Sequence, residues 1–210
     1  MHRSALAVTS AMLMFGALGM AAPAVNAQQM TTSTTNGAIY YGGGIGLSIP
    51  VGSLGDAANT GWHLQGMGGW ESSHTPWGFR GDLTYSSLGG KTINAGATTL
   101  KGDNLGLLAI TGNVVWKKRQ AQSSTSSTTP YIIAGLGLYH GSQTITVSDQ
   151  TGSSSASGSF TNFGINAGAG LEFQLTGFSV YADARFHDIF RSGKSARYLP
   201  ITVGVKIGGQ

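Results

Sequence analysis

At 210 residues the chain is sized for one domain or at most two, and about 10% of it is charged, where a soluble domain averages roughly 25%. Glycine stands at 34 positions and cysteine at none, which excludes disulfide scaffolds, thiol nucleophiles, lipoprotein acylation and cysteine zinc sites. The net charge of +4 includes no basic run longer than Lys117-Lys118-Arg119, so nucleic acid is not an expected partner, and beyond Ala27 no apolar run approaches the ~18 residues of a membrane helix.

Met1-His2-Arg3 gives a short positive start, followed by an apolar stretch from about Ala5 to Ala22. Pro23 breaks it, and Val25-Asn26-Ala27 offers small residues for cleavage. This three-part pattern predicts a cleavable signal peptide over 1–27 and export through the secretory pathway. Residues 28–36 read as a polar linker, and 37–210 as the folded domain.

From Gly37 onward apolar and polar residues alternate, the mark of strands with two unlike faces. Eight such runs are expected, at about 37–49, 61–71, 77–88, 103–116, 130–140, 160–175, 178–189 and 198–208. In the eighth, Ile201, Val203, Val205 and Ile207 point one way and Thr202, Gly204 and Lys206 the other. The fourth and fifth carry aliphatics on both faces. Thr176-Gly177 is a two-residue hairpin turn that sets the sixth run against the seventh. One face then pairs Phe173 with Val180, Leu171 with Ala182 and Ala169 with Ala184; the other pairs Glu172 with Tyr181, Gly170 with Asp183 and Gly168 with Arg185. A one-residue slip would spoil both faces, so the register is strongly specified.

The polar face lacks the Lys and Glu that a water-facing surface would carry, so the apolar face is read as turned to lipid. A closed barrel also satisfies every backbone group in a bilayer without helices. Glu71, Arg80, Asp82, Glu172, Asp183, Arg185 and Lys206 then line the interior, four acids against three bases. Lys206 and Glu172 fall near the periplasmic end, close enough to bridge, while Arg80 and Asp82 lie beside Glu71 on the preceding run. On the lipid side Ala169→Arg should impair folding, while the inward Gly170→Ser should be tolerated better. Trp62, Trp70, Trp77, Phe79, Trp116, Tyr131, Phe173, Phe178 and Tyr198 fall near strand ends, as interfacial girdles require. With the N-terminus in the periplasm, outer loops fall at about 50–60, 89–102, 141–159 and 190–197, and inner turns at 72–76, 117–129 and 176–177.

Three segments carry a family likeness: Pro130-Tyr131-Ile132-Ile133-Ala134-Gly135-Leu136-Gly137, Asn166-Ala167-Gly168-Ala169-Gly170-Leu171-Glu172-Phe173, and Ala182-Asp183-Ala184-Arg185-Phe186-His187. They resemble the fifth to seventh strands of the small outer-membrane β-barrel superfamily with OmpA- and OmpX-type barrels. The resemblance implies an all-β fold: an eight-stranded antiparallel up-and-down transmembrane β-barrel in the bacterial outer membrane. Thr202, Gly204 and Ile207 match that family's terminal insertion signal, whereas Gly209 stands where its aromatic belongs. The implied partners are outer-membrane lipid and lipopolysaccharide and the outer-membrane assembly machinery, with the barrel a monomer.

Gly90-Lys91-Thr92 and Gly193-Lys194-Ser195 imitate a phosphate loop, but the required upstream glycine is Tyr85 in one and Asp188 in the other. His140-Gly141-Ser142 is similar to the His-x-Ser pair of eight-stranded lipid A deacylases. Parity, however, groups His140 with Leu136 and Leu138 and supplies no orienting carboxylate. His63 and His187 face inward from strands that are not neighbours, and meet only if they reach across the lumen. No catalytic residue, cofactor or metal is therefore expected, and the protein is not read as an enzyme. The inward charges form a polar network, either a structural plug or the gate of a narrow ion path. The expected function is structural or adhesive, through the outer loops. The alternatives are a narrow pore or small-ligand conduit and, third, a lipid-modifying enzyme.

Overall fold

The computed structural model describes residues 37–95, 98–118, 128–149 and 152–209. The signal peptide, the polar linker and most of the 117–129 turn lie outside the described residues. The chain runs β1 (Gly37–Val51), the short helix α1 (Ser53–Ala57), β2 (Ala58–Ser72), β3 (Trp77–Gly90), β4 (Thr92–Ala95) and β5 (Thr98–Gly102). It continues through β6 (Leu105–Lys117), β7 (Thr128–Asp149), β8 (Gly152–Gln174), β9 (Ser179–Ile189) and β10 (Ala196–Gly208).

Eight strands close a ring, β1-β2-β3-β6-β7-β8-β9-β10, each antiparallel to the next, with β10 pairing back to β1. Alternation drives this closure, because each strand buries one face in the ring and exposes the other. Ile201, Val203, Val205 and Ile207 are exposed to the outside, whereas Thr202 and Lys206 are buried inside. The hairpin at Thr176-Gly177 has Gly177 at φ 89° and a Leu175 N–H donating to Phe178 O at 2.9 Å. From it follow Phe173↔Val180, Glu172↔Tyr181, Gly170↔Asp183 and Gly168↔Arg185, as the sequence pattern requires.

Two expectations need correction. Tyr131 and Tyr198 are not girdle residues: at 4% and 0% exposure they point into the lumen, since parity sets them with Ile133 and with Ala196. The segments 89–102 and 141–159 are not plain loops. β7 and β8 run 22 and 23 residues, against 11 to 15 for the other ring strands, and stay paired out to Asp149↔Gly152. There β5 joins β7 through Gly102↔Ile145 to Thr99↔Ser148, and β4 joins β5, so a four-stranded sheet projects beyond the ring. The alternation of Thr144, Ile145, Thr146 and Val147 supports this extension; these β-branched residues suit a pleated surface.

The inward Gly170 is closely packed. A Cβ at Gly170 would lie 2.5 Å from the Tyr131 ring, one at Gly69 2.5 Å from Tyr40, and one at Gly204 2.6 Å from Tyr181. Gly170, Gly69 and Gly204 are the seats of inward Tyr131, Tyr40 and Tyr181. The two-faced aliphatics of β6 and β7 have two causes: inward Val115 and Ile133 pack with Tyr131 in one cluster, and a second cluster lies further along β6. Leu105, Leu107 and Ala109 point inward and pack with Leu54 of α1, Leu88, Tyr139, Ile189 and Tyr198. This apolar layer lies inside the barrel beside α1, so aliphatics are buried on the inside there and exposed on the outside.

Candidate functional site

Away from that apolar layer the interior holds ordered polar clusters, with Met67, Val115 and Ile133 packed among them. His63 stands 3.1 Å from both Ser48 Oγ and Thr202 Oγ1. His187 meets the Tyr139 hydroxyl at 2.9 Å and lies against the Tyr198 ring, centroids 4.7 Å apart. The two imidazoles thus take separate partners. Among the described residues, no group of three or more His, Asp or Glu side chains could hold a metal ion.

The central cluster joins opposite walls. Arg80 and Asp82 come from β3, Asp183 and Arg185 from β9, and each pair alternates across an outward residue, so all four side chains point inward. Arg80 Nε donates to Asp82 Oδ1 at 2.7 Å and its Nη1 to Asp183 Oδ2 at 3.3 Å. Arg185 Nη1 donates to Asp82 Oδ2 at 3.0 Å and its Nη2 to Asp183 Oδ2 at 3.2 Å. Asp82 also accepts from Gln65 Nε2 at 2.6 Å and from Asn113 Nδ2 at 2.7 Å, and Asp183 from Tyr131 OH at 2.9 Å. Arg80 additionally faces the Tyr181 ring at 5.2 Å.

A second cluster lies at the rim of the barrel opposite α1, the end expected to face the periplasm. Glu71, Lys117, Glu172 and Lys206 come from β2, β6, β8 and β10 and form a closed circuit of alternating sign. Lys117 Nζ donates to Glu71 and to Glu172. Lys206 Nζ donates to Glu71 Oε1 at 2.9 Å and pairs with Glu172 Oε1 at 2.6 Å. The same ammonium lies 4.8 Å from the centre of the Tyr40 ring.

All seven charges expected inside are inside, and the bridge expected between Lys206 and Glu172 is formed. Arg80 and Asp82 pair as neighbours, but Glu71 does not join them; it belongs to the rim circuit. Lys117 is the interior charge that the sequence pattern does not single out. The basic run it opens reads as the start of a turn, although the inward parity of Thr111, Asn113 and Val115 runs on to it. With Lys117 the interior holds four acids and four bases. Charge neutrality of this kind lets a narrow lumen be packed solid, because no ion is left without a partner. The gap between the two clusters measures about 10 Å³, room for at most one water.

His140 and Ser142 lie on the outer surface, with His140 Nδ1 2.8 Å from Thr161 Oγ1, a hydroxyl where a hydrolase would need a carboxylate. Lys91 Nζ donates to Gly55 O at 2.5 Å and is followed by β4, not by a phosphate-binding helix.

Three solved structures share the architecture. Neisserial surface protein A is 18% identical, with a TM-score of 0.53, and the match covers 82% of this chain and 97% of that one. Ail, the attachment invasion locus protein of Yersinia pestis, is 17% identical, with a TM-score of 0.51 and coverage of 83% and 99%. A major outer membrane protein of Thermus thermophilus is 12% identical, with a TM-score of 0.52 and coverage of 83% and 100%. At these identities the likeness is one of fold. No curated protein matches the chain in sequence. Residues 10–207 match the family described as outer membrane protein beta-barrel domain. A closed eight-stranded ring, an apolar outer surface and a match spanning nearly the whole chain together make this protein a member of the outer membrane protein β-barrel domain family, resident in the bacterial outer membrane.

Proposed function

We propose that this is a sealed barrel that acts at its external face, presenting the β4-β5-β7-β8 extension as an adhesion-type contact surface. One observation carries the reading. From Ser153 to Asn162 the strand partner of β8 among the described residues is β7 alone; Phe163 O accepts from Phe190 N–H, and β9 pairs with β8 from Gly164 on. An open row of peptide groups therefore projects above the ring, and such an edge is ready to bind an extended segment. Residues 152–159 are Ser, Ala and Gly, with no charge or proline to guard the edge. Outer-membrane lipid on the apolar face, lipopolysaccharide around the outer rim and the assembly machinery complete the proposed partners. The ring closes within one chain, which favours a monomer.

A narrow conduit is the second reading, because Glu71, Lys117 and Glu172 keep 18%, 19% and 11% of their side-chain surface open at the periplasmic rim. The packed layer of Leu88, Leu107 and Ile189 at the other end weighs against it. We assign no catalysis to His140 and Ser142.

The test removes residues 144–157 and joins Gln143 to Gly158 through a short turn. Bacteria displaying the full or shortened chain are compared for attachment to one another and to collagen- and fibronectin-coated surfaces. Loss of attachment with the barrel still folded, shown by its gel mobility before and after boiling, is the expected result. Equal attachment by both forms contradicts the reading.

A further inference from the structure

A polar groove of about 360 Å³ opens sideways at the foot of the extension, between Tyr85, Asp103, Asn104, Ser142, Gln143 and Ser159. We propose that it binds a neutral sugar unit of the glycolipid headgroups in the protein's own outer leaflet. This deepens the proposal of lipopolysaccharide around the outer rim and rests on it, independently of the adhesion reading.

The change from apolar to polar side chains along each strand sets its level. Leu83, Ile110, Leu138 and Phe163 form one outward row across β3, β6, β7 and β8, and all four are exposed and apolar. The next row outward is Tyr85, Leu108, His140 and Thr161, which is mixed. The row after that is Ser87, Gly106, Ser142 and Ser159, which holds no apolar side chain beyond glycine. Lipid contact therefore ends at Tyr85, and the groove begins where headgroups begin. Tyr85 and its edge-to-face partner Trp62, ring centres 5.9 Å apart, are the amphipathic aromatics that mark such a boundary.

The lining selects the ligand class. It contains no Lys or Arg, and Asp103 adds a carboxylate, so a phosphate would be repelled. The lining is rich in hydroxyls and amides, so an acyl chain would strip water from them without replacing their hydrogen bonds. A saccharide ring suits both parts: its C–H face covers an aromatic ring, and its hydroxyls pair with carboxylate, amide and hydroxyl groups. The polar groups are also held in place. Gln143 Nε2 donates to Asp103 O at 3.1 Å, Gly90 N–H donates to Asn104 Oδ1 at 3.3 Å, and the Thr144 and Ser157 hydroxyls lie 3.0 Å apart. Such preorganisation lowers the ordering cost of binding.

The probe is the soluble oligosaccharide released from lipopolysaccharide by mild acid, titrated calorimetrically into the full-length folded barrel in detergent, with inorganic phosphate as competitor. Wild type should bind it. Tyr85→Leu and Asp103→Ala should each raise Kd roughly tenfold, the scale of one lost ring contact or charged hydrogen bond. Arg197→Ala, which breaks the separate outer ion pair with Asp188, should bind as wild type does. Asp103 lies between β5 and β6, outside any strand, so if Tyr85→Leu fails to fold, Asp103→Ala alone decides. No binding by wild type, a folded groove variant binding at full strength, equal weakening by Arg197→Ala, or displacement by phosphate would each overturn the proposal.

Discussion

Arg185 on β9 reaches across the lumen to Asp82 on β3, Nη1 to Oδ2 at 3.0 Å, over a separation of 103 positions in the chain. Arg80 returns the contact to Asp183 over the same separation. The two strands carry the sequences Arg-Gly-Asp and Asp-Ala-Arg, so each arginine faces the opposite wall's carboxylate. Each aspartate also binds its own strand's arginine, and the four charges form one unit.

That unit should behave as a buried network. Asp82→Asn leaves two guanidinium groups sharing one carboxylate and should cost about 3–5 kcal/mol, the usual result of breaking a buried pair from one side. Pairing Asp82→Asn with Arg185→Gln should recover much of the loss, because a desolvated charge of each sign is then gone. Urea unfolding in detergent or lipid measures both variants. A double mutant no more stable than Asp82→Asn alone would contradict the network reading.

The rim circuit should be more forgiving. In Glu172→Gln, Lys117 and Lys206 both keep Glu71, and water reaches the rim. A loss of about 1–3 kcal/mol is expected, the scale of hydrogen bonds to charged groups, and smaller than that of Asp82→Asn. The same unfolding series ranks the two, and the reverse order would mean that the rim, not the centre, is the tighter cluster.

Glycines should divide by face. Gly170→Ser meets the Tyr131 ring and should destabilise by about 1–3 kcal/mol, as overpacking does. Gly66 faces outward on β2, and a Cβ there meets nothing within 4 Å. Gly66→Val should therefore be neutral or stabilise by about 0.5–1 kcal/mol, since a strand glycine is entropically costly. Ala169→Arg, on the lipid side, should cost about 2–4 kcal/mol if it sits near the bilayer midplane. Unfolding midpoints that fail to separate Gly170→Ser from Gly66→Val would mean the faces are wrongly assigned.

Much of the architecture is legible in the sequence because a strand has period two and a two-residue turn leaves no freedom of register. Thr176-Gly177 alone places Glu172 beside Tyr181 and Gly168 beside Arg185. Lys117 is not legible, since a basic run at a strand end reads as a solvated turn unless its parity is followed one residue further. Tyr131 and Tyr198 mislead because aromatics at strand ends serve girdles and lumens alike. For Tyr131 the facing Gly170 is the feature that distinguishes the two. The extension is hidden by composition: Ser and Gly are poor strand formers, and 152–159 is held in a strand by pairing with β7. Nor can sequence show which inward aliphatics will meet, so the dry layer around Leu107 emerges only in three dimensions.

A sealed barrel that works at its external face passes no ions through its lumen. Single-channel recording in planar bilayers tests it most directly, on the wild type and on Glu172→Gln, which loosens the half-open rim but leaves the layer of Leu54, Leu88, Leu107 and Ile189 in place. No unitary current is expected from either protein at any holding potential. Discrete current steps in the wild type, with ion selectivity altered by Glu172→Gln, would contradict it and make the rim circuit a gate.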